Sequence, residues 1–329
     1  MEAKLPRNLG MELVRATEAA ALTAGQWIGR GNPLDADQAA ARAMADVFGT
    51  IRINGQIVMG EEDKLKHDLV LLSKKTIGGK DGPAVDVLVD PVDGRMQLAR
   101  GFPGVISAAA VAPHGTIWHP PRAVYMEKII VDETVAPYLV DECLDAPPAW
   151  TLSLVARAKE MKVNNLSVFV LDRPRHAALI AEIRATGAHV ILRPDGDIVG
   201  ALMVCMPQSG VDILMGIGGI PEGLLAACAV KSLGGTILSR LAPQDVKEKA
   251  IIVDGGYDTN TIFRADDLVK SEQVFFAATG ITNGPLGRGV IYHGEKADTN
   301  SLILRCETRT RRTIQSEHMV DKWIEVTLE

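Results

Sequence analysis

The chemistry in this chain is concentrated in carboxylates that stand where one element gives way to the next. The stretch from Val85 to Arg95 reads Val-Asp-Val-Leu-Val-Asp-Pro-Val-Asp-Gly-Arg. Its β-branched apolar run predicts a buried strand, and Asp90-Pro91 is expected to end that strand because proline has no N–H to give the ladder. Asp90 and Asp93 then fall just past a strand end, where open α/β sheets collect their ligands. Two acids that close repel, and a hard divalent cation such as Mg²⁺ or Mn²⁺ is the simplest neutraliser. An Asp-Pro turn followed by an Asp-Gly turn is the competing reading, and the two weigh equally on these residues alone. Glu61 repeats the pattern after Ile51–Met59, read as a hairpin or strand, and Asp37 stands near the start of an expected helix, where Asp35 or Asp37 would otherwise serve only as an N-cap.

A second concentration is glycine. Gly216-Ile-Gly-Gly-Ile-Pro-Glu-Gly223 is read as a turn after a strand that opens a helix. Pro221 replaces the last glycine of a dinucleotide fingerprint and no convincing ribose-binding acid stands at the expected distance, which weakens the nucleotide reading. What remains is a glycine-rich turn whose amides favour anions, with Glu222 in the first helical turn.

These residues need a scaffold, and the chain is long enough to provide one. Its 329 residues suffice for one large α/β domain or two of ordinary size with a substantial core, and 47% hydrophobic and 23% charged residues are ordinary globular values. A net charge of −6, from 35 basic and 41 acidic residues, carries no nucleic-acid footprint. Four scattered cysteines give neither a zinc cluster nor a disulfide framework. Charges near the N-terminus interrupt any signal-peptide core, and no apolar run reaches membrane-spanning length, so no membrane association and a cytoplasmic location are expected. An alanine-rich helix is predicted from Leu9 to Gly29 and a second from Asp35–Asp37 through Met44, with strands at Gly104–Ala112 and Tyr125–Val131. The Pro/Asp-rich stretch 141–150 is the best candidate boundary, dividing the chain into residues 1–145 and 146–329. Beyond it, helix and strand alternate as in βαβ units.

Asp-Pro-Val-Asp-Gly after a strand, with Gly60-Glu61 after the preceding one, resembles metal-dependent phosphatases of the inositol monophosphatase and fructose-1,6-bisphosphatase superfamily. The closer resemblance is to class II fructose-1,6-bisphosphatases of the GlpX type. It is carried in order by Trp27–Gly31, Gly60-Glu61, Asp90–Gly94, Tyr125–Lys128, Pro174–His176, Pro194–Asp197, Gly216–Gly223, Ala278–Thr282 and Ile314–Ser316. The resemblance implies a layered α/β/α/β/α sugar-phosphatase fold, two or more Mg²⁺ or Mn²⁺ ions, hydrolysis of a sugar bisphosphate and a homo-oligomer, dimer or tetramer. It implies metal ligands at Asp37, Glu61, Asp90, Asp93 and Glu222. It implies substrate contacts at Asp93, Gly94, Tyr125, Pro174, Arg175, Asp195, Gly196, Asp197 and Gly219, with Arg173 where the family has a lysine. Arg175 offers a forked donor to a phosphate, and Asp195 and Asp197 are acceptors suited to sugar hydroxyls. One departure is chemical: Arg95 stands where the family has a threonine that orients the attacking water. Asp93, Glu62, Asp63 and Arg95 are therefore the candidates for the catalytic step.

Overall fold

The computed structural model describes residues 4–60, 70–119, 125–207 and 209–320. Backbone contacts divide it into two units, residues 1–117 with 271–329, and residues 118–270.

The first unit opens with α1 (Leu9–Gly25), whose alanine face is buried, and α2 (Pro33–Thr50). Small side chains let α1 lie close to the sheet: a Cβ added at Gly10 would stand 2.9 Å from Ile303 Cγ2. The helix stops four residues before the expected Gly29, because the Gly29 and Gly31 amides donate instead to Leu98 and Ala99 carbonyls. Likewise α2 starts earlier than expected, with Pro33 at its first position and Asn32 as N-cap. Asp37 is therefore no cap; it lies in the second turn on the buried face.

β1 (Asn54–Ile57) pairs parallel with β3 (Ala84–Asp93) and antiparallel with β2 (Thr76–Ile77). Pro91 does not end β3, contrary to the expectation from its missing N–H. It sits in an irregularity of the ladder with β4 (Ile106–Pro113), where Asp90 faces Ala108 but Asp93 faces Ile106. Three steps along β3 thus match two along β4, the signature of a bulge, which is where a sheet tolerates proline. In a regular strand Asp90 and Asp93 would point to opposite faces; the extra residue puts both on the same one. Gly94 follows at φ 103°, a left-handed conformation suited to glycine, and caps α3 (Arg95–Arg100).

The second unit takes the chain through β5 (Tyr125–Val131), α4 (Pro148–Ala158), β6 (Ser167–Leu171), α5 (Ala177–Ala185), β7 (His189–Arg193), α6 (Asp197–Cys205), β8 (Ile213–Gly219) and α7 (Ile220–Ser232). It closes with β9 (Thr236–Leu241), α8 (Val246–Asp254), β10 (Phe263–Arg264) and α9 (Ala265–Leu268). The sheet order is β10-β9-β5-β8-β6-β7, with β6 parallel to both β7 and β8, as the alternating pattern predicted. Residues 141–150, expected from composition to be a boundary, lie inside this unit, and Cys143 and Leu144 are part of its core.

The chain then returns to the first unit as β11 (Phe275–Gly280), β12 (Ile291–His293), β13 (Lys296–Arg305) and β14 (Thr310–Met319). Its sheet runs β12-β13-β11-β4-β3-β1-β2, with β14 on β13. Two mixed sheets with helices packed against them make this a layered α/β protein. All four cysteines are free, and among the described residues no helix is long and apolar enough to cross a membrane.

Candidate active site

In the first unit the bulge of β3 and the first turns of α2 place three carboxylates in the interior. Asp37 and Asp90 are fully buried and Asp93 is 3% exposed. The Val92 amide donates to Asp90 Oδ1 at 3.2 Å, so the bulge backbone itself orients one ligand candidate. Arg95, the first residue of α3, brings Nη1 to 3.6 Å from Asp37 Oδ2. Buried carboxylates are costly unless a positive charge or donors accompany them, so this acid set calls for cationic company. The donors are hard oxygens, the type that Mg²⁺ and Mn²⁺ take, and in that respect they fit such an ion. Among the described residues no three His, Cys, Asp or Glu side chains approach closely enough to cage a metal by themselves. Glu61, Glu62 and Asp63 lie outside the described residues.

In the second unit the carboxyl ends of the three parallel strands lie along one edge. Leu171 pairs with Arg193, which levels the ends of β6 and β7, and β8 runs in the same direction. Arg173, Pro174 and Arg175 follow β6, Asp195, Gly196 and Asp197 follow β7, and Gly219 ends β8 before Glu222 in α7. Tyr125 opens the antiparallel β5 directly opposite Gly219. Every substrate residue expected in this unit therefore stands on the edge where α/β sheets bind ligands.

The contacts along that edge are specific. Arg175 donates from Nε and Nη2 to the Ile217 carbonyl at 3.1 and 2.8 Å, and its guanidinium lies 4.9 Å from the Tyr125 ring centroid. Burial lowers its pKa from the usual arginine range. Two of five N–H groups are committed to the strand, and three remain for an anion. Arg173 Nη2 stands 3.5 Å from Asp195 Oδ1. His176 Nδ1 donates to the Leu171 carbonyl at 2.7 Å, and its Nε2 accepts from the Ile217 amide at 2.8 Å. Those partners require the neutral imidazole, and burial accordingly pushes its pKa down.

The glycine run is not the turn it was expected to be, since Gly216–Gly219 are the last residues of β8. Each of three glycines makes room for a polar side chain. A Cβ at Gly216 would meet the His176 ring, one at Gly218 the Asp197 carboxylate, and one at Gly219 the Glu222 carboxylate. Gly218→Ala is expected to displace Asp197, lower stability by ~1–3 kcal/mol as overpacking does, and weaken substrate binding. Thermal unfolding and KM measured on one preparation check it, and an alanine variant with native KM would show that the Asp197 position is immaterial.

Lys128 was passed over in the sequence, although a signal was there. It alternates with Met126 and Ile130 on the buried face of β5, a register position where a charge needs a partner. That partner is Asp197, whose Oδ2 is 2.5 Å from Lys128 Nζ.

The family model described as bacterial fructose-1,6-bisphosphatase, glpX-encoded, matches residues 7–318. The chain is 37% identical over 328 residues to fructose-1,6-bisphosphatase class 2 of Haemophilus influenzae, covering 96% of this chain and 97% of that relative. It is 38% identical over 329 residues to fructose-1,6-bisphosphatase 1 class 2 of Escherichia coli K12, covering 96% of each.

Proposed function

This chain belongs to the family of bacterial fructose-1,6-bisphosphatases encoded by glpX, and from that premise we propose that it hydrolyses a phosphate ester of a sugar bisphosphate, fructose 1,6-bisphosphate first among the substrates. We infer that the hydrolysis depends on a divalent metal, for which the buried Asp37, Asp90 and Asp93 are suited donors. We assign Mg²⁺ or Mn²⁺, place the chain in the wider inositol monophosphatase superfamily, and assign it to cytoplasmic carbohydrate metabolism, including gluconeogenesis, as a dimer or tetramer.

The observation that carries this reading is the gathering of anion and hydroxyl binders on one sheet edge. Arg175 is anchored by two hydrogen bonds to a strand carbonyl and keeps three donors for a phosphate. Asp195 and Asp197 are the two acids of a turn whose Gly196 takes φ 97°, with Asp195 the proposed direct acceptor for a sugar hydroxyl. In the other unit Asp37, Asp90 and Asp93 are the proposed cation ligands, joined by Glu61 from outside the described residues. A bound divalent ion supplies charge neutralisation at the phosphoryl group. Asp93 and Gly94 are further proposed to contact substrate, and Glu62 or Asp63 to take a proton from the attacking water. Glu222, in the first turn of α7, is a proposed ligand on the strength of the resemblance.

A phosphate-release screen over sugar mono- and bisphosphates with Mg²⁺ and with Mn²⁺ tests the assignment. Release from a sugar bisphosphate with either metal is expected; release confined to non-sugar esters would overturn it. Arg175→Ala is expected to raise KM by ~10- to 100-fold, the worth of a charge-assisted contact, and to lower kcat less. Steady-state kinetics decide this: a collapsed kcat at constant KM would move Arg175 into the chemical step.

A further inference from the structure

The Asp195-Gly196-Asp197 turn is tied to a residue in a different strand of the same sheet. Lys128, in the middle of β5, is 1% exposed, and its ammonium lies 2.5 Å from Asp197 Oδ2 and 3.5 Å from the Gly219 carbonyl. Asp197 is the first residue of α6, and its carboxylate fills the space that a side chain at Gly218 would take. Asp195, two residues earlier, has a side chain 28% exposed, against 6% for Asp197. The two acids of the turn are therefore not equivalent, one being locked inward and the other presented at the edge.

We propose that Lys128 is a positioning residue: through Asp197 it fixes the turn so that Asp195 is held ready for a sugar hydroxyl. Removing two full charges from water is expensive, and an apolar pair of similar volume would stabilise a fold as well or better. A buried pair that carries this cost is explained by the place it gives the turn. Lys128 has the reach and the point charge for it: its ammonium meets both Asp197 and the Gly219 carbonyl. The inference rests on the reading of this turn as a substrate site.

The experiment compares Lys128→Met, Asp197→Asn, the double variant and Asp195→Asn in the full-length protein, by steady-state kinetics on fructose 1,6-bisphosphate and by thermal unfolding. Asp195→Asn is expected to raise KM; if it does not, the reading of the turn as a substrate site falls. Given that rise, Lys128→Met is expected to raise KM by ~10-fold or more with kcat nearly kept, and to have no further effect on KM in the Asp197→Asn background. A lowered unfolding temperature with unchanged KM would make the pair purely structural and overturn the proposal. Additive effects on KM would overturn it too, because Lys128 would then act apart from Asp197. Where Lys128→Met alone does not fold, the double variant, which lacks both charges, is compared with Asp197→Asn: equal KM supports the proposal, and a higher KM in the double variant overturns it.

Discussion

Asp90→Asn is expected to abolish phosphate release, by ~10³-fold or more, because a lost ligand forfeits several kcal/mol of charge stabilisation at the phosphoryl group. The fold is expected to survive. Asp90 is buried within β3, and the amide is nearly isosteric and keeps an oxygen for the Val92 N–H. Removing one of two acids that the bulge places on the same face relieves repulsion, so the metal-free variant is expected to be at least as stable as the parent. The reading independent of turnover is thermal: a ligand that binds only the folded state stabilises it by ~2.7 kcal/mol at a hundred times its Kd. Mg²⁺ or Mn²⁺ should raise the unfolding temperature of the parent and leave that of Asp90→Asn almost unmoved. Chelation followed by desalting should silence the parent as well. Undiminished phosphate release after that treatment would remove Asp37, Asp90 and Asp93 from the reaction.

The strand of Asp90 also shows where sequence reading reaches its limit. The run Val85–Val89 announced β3 by composition, and the alternation after residue 151 announced the parallel strands β6, β7 and β8. Those signals are local: β-branched enrichment and the period of apolar positions. The bulge at Pro91 was not legible, because proline is compatible with both a strand end and a bulge, and only the register against β4 decides. The glycines of β8 were read as a turn since backbone freedom is their usual meaning, whereas here they make room for His176, Asp197 and Glu222 from distant segments. Lys128 shows the same limit. Its burial follows from alternation along β5, but Asp197 is 69 positions away and no periodicity points to it. The division into units escaped composition altogether, because the chain leaves the first unit at Ile117 and re-enters it at Ser271.

Arg95→Thr is expected to raise turnover on fructose 1,6-bisphosphate by ~10²-fold or more, the lower range of what a positioned acid–base group contributes. Arg95 follows the left-handed Gly94, so the start of α3 aims its side chain at α2, and Nη1 stops 3.6 Å from the buried Asp37 Oδ2. A guanidinium has donors only, so it neither accepts a proton from water nor leaves Asp37 for another cation without losing this contact. A threonine hydroxyl there both donates and accepts, and it withdraws a fixed positive charge from the neighbourhood of a proposed ligand. Two readouts besides turnover follow from that electrostatics. With its cation gone, Asp37 is a buried acid with less compensation, so the metal-free variant should be less stable by ~1–3 kcal/mol. Added Mn²⁺ then has one competitor fewer, so it should raise the unfolding temperature of Arg95→Thr more than that of the parent. Arg95→Lys keeps the charge and should resemble the parent in both respects. A turnover unchanged or lowered by Arg95→Thr, with an unaltered response to metal, would show that the guanidinium is itself part of how this chain handles the phosphate, and that its water is activated from elsewhere.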